Sequence, residues 1–370
     1  MKRNVAMRVL FLVNTPSPYR VDFFNELGKY CELTVVFETR NARSRDAQWV
    51  ADKNLNFNAR FLKGVRVGEA EAICPEILSY LSPQKYDVIV VGMYSSPTGM
   101  IAIEYMKIKR IPFILSSDGG MIRKENSLNK WGKSHFISSA SVWLSTGKMT
   151  TDYFCYYGAD KEKIYKYPFT SMKIADILNQ PMTKEEKKNC KRKLRISEEK
   201  VVLAVGQFVH RKGFDVLIKA CKNLSSDIGI YIVGGTATPE YMRLINEQKV
   251  KSVHFVNFKV KEILMEYYRA ADIFVLPTRE DIWGLVINEA MAFGLPVVTT
   301  DKCGAGLEMI QPKRNGIIVP VEDSKALAVA IDDAFNIESQ EVLNTAKKYT
   351  IENMATEHMR IFDEFKKNVD

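Results

Sequence analysis

No Cys-x-x-Cys pair occurs in this sequence, although it holds six cysteines: Cys31, Cys74, Cys155, Cys190, Cys221 and Cys303. Their scattered spacing suits neither a zinc site nor a compact disulfide framework, so reduced thiols in a cytosol are expected. Histidine is scarce. His135, His210, His254 and His358 stand at no metal-ligand spacing from one another, and no metal site is expected. No apolar run approaches the ~20 residues of a spanning helix. The start offers Lys2 and Arg3 before apolar residues, but Arg8 interrupts it, and Val9 to Val13 is too short for a signal h-region. The chain is therefore expected to be neither secreted by this route nor integral to a membrane. No G-x-G-x-x-G turn follows a strand, which leaves a Rossmann dehydrogenase without its fingerprint. No reader motif accompanies the lysines and arginines, so nucleic acid is not expected as a partner. Internal repeats and low-complexity tracts are absent as well.

What remains is a well-folded composition. At 370 residues, 46% hydrophobic and 26% charged, the chain is longer than one ordinary core supports, and two domains are expected. Lys+Arg 53 against Asp+Glu 44 gives a net charge of +9, which suits an anionic partner or a merely solvated basic surface.

Short apolar, β-branched runs alternate with amphipathic stretches throughout. Strand candidates are Arg8–Val13, Leu33–Phe37, Val88–Val91, Phe113–Ser116 and Ser141–Leu144, then Val201–Val205, Gly229–Val233, Val253–Phe255, Ile273–Leu276 and Pro296–Thr299. Near-continuous apolar strands separated by helices predict parallel sheets covered on both faces: an α/β chain, doubly wound, twice over. The expected division is 1–170 as a first domain, 171–199 as a linker, 200–350 as a second domain, and 351–370 as a helix packing back across the boundary. Within it, Lys184 to Arg195 holds seven basic residues (Lys184, Lys187, Lys188, Lys191, Arg192, Lys193, Arg195) against two acidic ones. It reads either as a solvated surface helix or as a contact with anionic lipid.

The segment Leu276 to Thr300, LPTREDIWGLVINEAMAFGLPVVTT, carries the most chemistry. A strand ends, a polar loop follows, a helix runs from near Gly284 to Phe293, and Gly294-Leu295-Pro296 stops it. The N–H groups of Gly284, Leu285 and Val286 fall in the first helical turn, where they lack intrahelical partners and suit a phosphate or a sugar hydroxyl. Asp281 and Glu289 stand eight positions apart, both able to face the crevice at the carboxyl ends of the strands. This segment resembles the E-x7-E signature of the retaining glycosyltransferases of family 4, which have the GT-B fold: two Rossmann-like doubly wound domains facing each other across a cleft. The resemblance implies that the first acid, Asp281 or its neighbour Glu280, contacts the transferred sugar, and that Glu289 holds the ribose hydroxyls.

A second segment, Val201 to Ala220, reads as a buried strand, a Gly-containing turn and a helix after Gly213. Arg211 and Lys212 sit in the loop, a planar fork and a point charge suited to a diphosphate. The arrangement is similar to the family's diphosphate-binding element. That family usually has Arg directly after the first glycine, Gly206; here the position is Gln207, and the guanidinium role falls to Arg211. Lys212→Ala is expected to lower turnover severely while leaving the fold intact. Gly234 closes the next strand, where a ligand can approach backbone. His254 to Lys259, HFVNFK, resembles the segment whose backbone lines the nucleobase pocket, with Asn257, beside Phe258, where that family usually has Gly. Asn315-Gly316 resembles the turn after the donor site, although any hairpin-like turn reads the same. In the first half, Tyr19 and Arg20 follow the first strand and are acceptor-side candidates by the same resemblance. Asp118, in SSDGG, stands where related enzymes carry a His or an acid near the transferred sugar, although a turn-forming Asp-Gly-Gly reads equally well. The basic, aromatic stretch after it (Arg123, Lys124, Lys130, Trp131, Lys133) suits a membrane, a polyprenyl-phosphate acceptor or a solvated loop.

The resemblance thus implies a cytoplasmic hexosyltransferase, metal-independent and without a bound cofactor, that uses a nucleotide-diphosphate sugar. Its acceptor would be a glycan or a lipid-linked glycan in surface polysaccharide or cell-envelope synthesis, with peripheral contact to the inner face of an anionic membrane. A GT-B nucleotide-sugar epimerase and a nucleotide-binding protein that transfers nothing are the alternatives.

Overall fold

The computed structural model describes residues 6–40, 55–68 and 71–369. The chain forms two compact units. One comprises Met1–Ser171 and Thr350–Asp370, the other Met172–Tyr349.

The first unit is built on a seven-stranded parallel sheet. In chain order its strands are β1 (Arg8–Val13), β2 (Glu32–Phe37), β3 (Asn58–Phe61), then β6 (Val88–Val91), β7 (Ile114–Ser117), β8 (Val142–Ser145) and β9 (Ile164–Lys166); β4 (Val65–Arg66) and β5 (Ala72–Ile73) pair separately, antiparallel. The spatial order is β3-β2-β1-β6-β7-β8-β9. Alternation along β1 sends Leu10 and Leu12 to one face, where they join Ala102, Ile103 and Met106 of the helix Pro97–Lys109. Phe11 points to the other, its ring 5.1 Å from Phe24 and 6.4 Å from Phe23 of the helix Pro18–Leu27. The long C-terminal helix Ile351–Val369 covers that same face, burying Met354, His358, Phe362 and Phe365.

The second unit repeats the scheme with β10 (Lys200–Val205), β11 (Ile228–Val233), β12 (Val253–Val256), β13 (Ile273–Leu276), β14 (Val297–Thr300) and β15 (Gly316–Val319), all parallel. Their order, β12-β11-β10-β13-β14-β15, reverses direction between β10 and β13. The first sheet reverses likewise between β1 and β6. In open α/β sheets such reversals open a crevice at the strands' carboxyl ends.

The stretch expected as a linker is packed into the second unit. Thr183 caps the helix Lys184–Leu194 in a reciprocal capping box with Glu186. Two of its lysines turn inward: Lys187 and Lys191 reach Asp272 at 2.9 and 3.0 Å. Burial pushes the Asp272 carboxyl up, but the two ammonium groups outweigh it and hold it below the usual range. All six cysteines are free thiols. No helix among the described residues is long and apolar enough to cross a membrane.

Candidate functional site

At the reversal point of the second sheet, the loop after β10 meets the loop after β13. The approach is close: a Cβ at Gly213 would lie 2.0 Å from the carbonyl oxygen of Pro277, and Gly213 has φ +68°, so only glycine fits without strain. Three contacts lock the loops together. Arg279 N–H donates to the Arg211 carbonyl at 2.8 Å, the Thr278 hydroxyl donates to the same oxygen at 2.8 Å, and the Arg279 guanidinium grips Asp215 with two bonds of 2.8 Å. Arg279 also pairs with Glu322.

This clamp brings Lys212 and Asp281, 69 residues apart in sequence, into a pair of 2.6 Å. Both side chains are close to fully buried, at 10% and 11% exposure. Arg211 stands at the rim, half exposed, with Nη1 3.6 Å from the same carboxylate and 3.3 Å from the Glu280 carbonyl. The Asp281 backbone is itself held, its N–H bonded to the Lys302 carbonyl at 3.0 Å and its carbonyl to Gly304 N–H at 3.0 Å. Gly284, φ +97°, then opens the helix Leu285–Ala292, whose first-turn N–H groups at Leu285 and Val286 precede the helical ladder. On that helix Glu289 accepts a hydrogen bond from Tyr268 Oη at 2.8 Å, and burial raises its carboxyl above the ordinary value.

Other candidates lie at the same end of this sheet: Gly206 and Gln207 follow β10, Gly234 follows β11, and Asn257 and Phe258 follow β12, both exposed. At Gly234 the structure supplies a reason other than ligand approach. A Cβ there would meet the Gly206 carbonyl oxygen at 1.8 Å, so neighbouring backbone already demands the glycine. At the Asn315-Gly316 turn Asn315 is buried, its amide donating to the Met309 carbonyl and the Thr345 hydroxyl and accepting from Gln311 N–H, so it ties the start of β15 to its surroundings.

The first unit gathers a second cluster. Asp118 Oδ2, after β7, accepts from Tyr19 Oη at 2.6 Å and from Arg20 Nη2 at 2.6 Å, while Arg20 Nη1 donates to Asn14 Oδ1 at 2.9 Å. Burial lifts the Tyr19 phenol to about 12, with Asp118 adding to the rise against Arg20. Beneath lies a small cavity of about 20 Å³, enough for one water. Tyr167, Phe169 and His358 complete its wall. His358 donates from Nδ1 to the Met354 carbonyl at 2.8 Å and packs edge-on to Tyr167 at 4.5 Å. Burial drives its pKa down to about 4, so the ring is neutral. Among the described residues no group of three or more His, Cys, Asp or Glu is placed to hold a metal ion.

Asn14, Tyr167, His358, Asp215, Tyr268 and Arg279 escape sequence reasoning. Their partners are distant in sequence, and nothing local marks a Tyr or Arg as paired.

Residues 186–353 match the family model described as glycosyl transferases group 1. This region is a group 1 glycosyltransferase domain. An uncharacterized glycosyltransferase of Methanocaldococcus jannaschii is 30% identical over 190 residues, 48% of this chain and 48% of that protein. The amylovoran biosynthesis glycosyltransferase of Erwinia amylovora is 32% identical over 172 residues, 44% of this chain and 38% of that one. The chain thus spans about half the length, or less, of the curated relatives it matches. Over the whole chain the likeness is structural: HepE of Anabaena, crystallised in complex with UDP-glucose, superposes with a TM-score of 0.71 at 16% identity, covering 98% of this chain and 100% of that one. At that identity the likeness shows the fold, which is GT-B.

Proposed function

We propose that this group 1 glycosyltransferase moves a hexose from a nucleotide-diphosphate sugar to a hydroxyl of a glycan or lipid-linked acceptor, with retention of anomeric configuration. Surface polysaccharide or cell-envelope assembly is its setting, at the cytoplasmic face of an anionic membrane. The observation that carries this reading is the buried Lys212–Asp281 pair at the sheet's reversal point, beside the N-terminus of the helix Leu285–Ala292. The relative named for amylovoran biosynthesis supports the setting, and the UDP-glucose bound by HepE supports the donor class.

In this reading Arg211, Lys212 and the helix N-terminus meet the diphosphate, and their positive charge stabilises the departing anion without a metal ion. The incoming sugar takes Asp281, or Glu280 beside it, as hydrogen-bond acceptor. Lys212 then turns from Asp281 towards phosphate. Glu289 receives the ribose hydroxyls, and Asn257 and Phe258 border the base. No covalent nucleophile is required. The departing diphosphate oxygen accepts the acceptor's proton on the face where the new bond forms. In the first unit, Asp118, fixed by Tyr19 and Arg20, orients the reacting hydroxyl.

Thermal shifts with a panel of nucleoside diphosphates and nucleotide sugars test the donor half. A ligand at about 100 times its dissociation constant stabilises by roughly 2.7 kcal/mol. One nucleotide is expected to shift the full chain, and the shift to shrink in Arg211→Ala and Glu289→Gln, neither of which removes apolar packing. Silence from every nucleotide would remove the donor assignment.

A further inference from the structure

Two concentrations of positive charge in the described chain differ in what accompanies the cations. On the helix Lys184–Leu194, Lys187 and Lys191 are turned onto Asp272, and none of its residues is an exposed large apolar one. The second concentration runs from Lys107 to Lys133 and holds seven cations against two carboxylates, Asp118 and Glu125. Neither carboxylate opposes an approaching anion. Asp118 is bound by Arg20, and the Glu125 side chain, 9% exposed, is bound by Lys133 at 2.8 Å and by Tyr157.

Here the cations are interleaved with large apolar groups that the fold leaves uncovered. Leu128 is 73% and Trp131 65% exposed, one turn apart on the helix Ser127–Ile137, whose start Asn126 caps. Ile122 is exposed just before it. The Trp131 ring stacks on His135, which bonds Glu104 of the neighbouring helix at 2.5 Å; one turn after Glu104, on the same face, Ile108 is 76% exposed. Lys130 lies 4.0 Å over the ring of the half-exposed Tyr156. Exposed Leu, Trp and Ile side chains set among Arg123, Lys124 and Lys130 suit an interaction surface better than bulk water. A headgroup boundary does: aliphatic and indole groups enter the acyl edge while lysine and arginine heads stay at the phosphates.

We infer that the surface formed by Ile108, Ile122, Leu128 and Trp131, ringed by Arg123, Lys124 and Lys130, docks on an anionic lipid bilayer. The segment begins four residues after Asp118, so docking brings the Asp118 cluster to the membrane and makes the acceptor a lipid-linked one. That last step alone rests on the function proposed above.

Co-sedimentation of the full chain with vesicles of phosphatidylcholine, alone or mixed with phosphatidylglycerol, tests the surface. Binding is expected to the mixed vesicles only, and to weaken as salt rises beyond about 0.1 M. Leu128→Ser with Trp131→Ser is expected to lower partition roughly tenfold or more. Lys124→Gln and Lys130→Gln lower it about fivefold each. These side chains are exposed, so unchanged circular dichroism accompanies the loss. Lys184→Gln with Lys188→Gln is expected to bind as the wild type does. The inference is overturned if the wild type stays in the supernatant with the mixed vesicles, if the Leu128/Trp131 variant binds normally, or if the loss follows Lys184 and Lys188 instead. Vesicle binding without any nucleotide shift supports the surface and removes only the donor reading.

Discussion

Lys212 and Asp281 hold each other almost out of solvent, at 10% and 11% side-chain exposure, and that has a consequence for mutagenesis. Removing one partner of a buried ion pair leaves an uncompensated charge and costs about 3–5 kcal/mol. Lys212→Ala is therefore expected to lower the urea midpoint as well as turnover, with the chain still folded in the absence of denaturant. Lys212→Met with Asp281→Asn removes both charges and is expected to recover most of the stability and none of the activity. A wild-type midpoint for Lys212→Ala would mean that the pair does not form in solution. Loss of transition-state stabilisation at such a site is typically about 2.7–4 kcal/mol, or 10²–10³ in kcat. Much of this site was legible in the sequence, because a strand, a glycine turn and a Lys, then a strand, an acid and a helix, each announce themselves locally. The pairing of Lys212 with Asp281 was not. It depends on β10 and β13 lying side by side, and only the chain order of the sheet supplies that.

At the scale of elements, the C-terminal helix does more than cover a face. It delivers His358, 1% exposed, to the cavity under Asp118. Burial lowers this histidine to about 4 against an ordinary value near 6.5. Above about pH 6.5 the ring is neutral in both folded and unfolded chains and pH has no effect through it. Between about 6.5 and 4 the unfolded chain takes a proton that the folded chain refuses, so stability falls as pH falls, by up to roughly 3 kcal/mol. Urea midpoints at pH 7 and pH 5 are expected to separate in the wild type and to converge in His358→Gln; equal separation in both would assign the slope to other groups. Neighbouring contacts test the helix itself. Phe362 is fully buried, and Phe362→Ala is expected to cost about 3–5 kcal/mol in the same denaturation experiment. Central strands such as β1, β10 and β13 were legible as apolar runs. The edge strands β3 and β9, Asn-Ala-Arg-Phe and Ile-Tyr-Lys, were not, since a strand with one neighbour has less need of apolar residues on both faces.

For the whole molecule, the decisive feature is that one unit is continuous in sequence and the other is not. Met172–Tyr349 carries its own six-stranded sheet, its own core around Val202, Phe214, Leu217, Ile273 and Ile331, and the full Lys212–Asp281–Glu289 set. The first unit is closed only by Thr350–Asp370, whose helix buries Ile351, Met354, His358, Ile361, Phe362 and Phe365. Cutting the chain after Tyr349 strips that apolar cover from the helix Pro18–Leu27 and its sheet, at about 1.5–3 kcal/mol for each large side chain no longer buried, more than a domain of this size holds in reserve. The truncated protein is therefore expected to keep one cooperative thermal transition, that of Met172–Tyr349, and to lose the other, with dye-binding apolar surface appearing in its place. The fragment Met172–Tyr349 alone is expected to fold and to respond to the nucleotide that shifts the full chain. If the truncated chain kept both transitions, the C-terminal helix would be an accessory to the first unit and not its closing element.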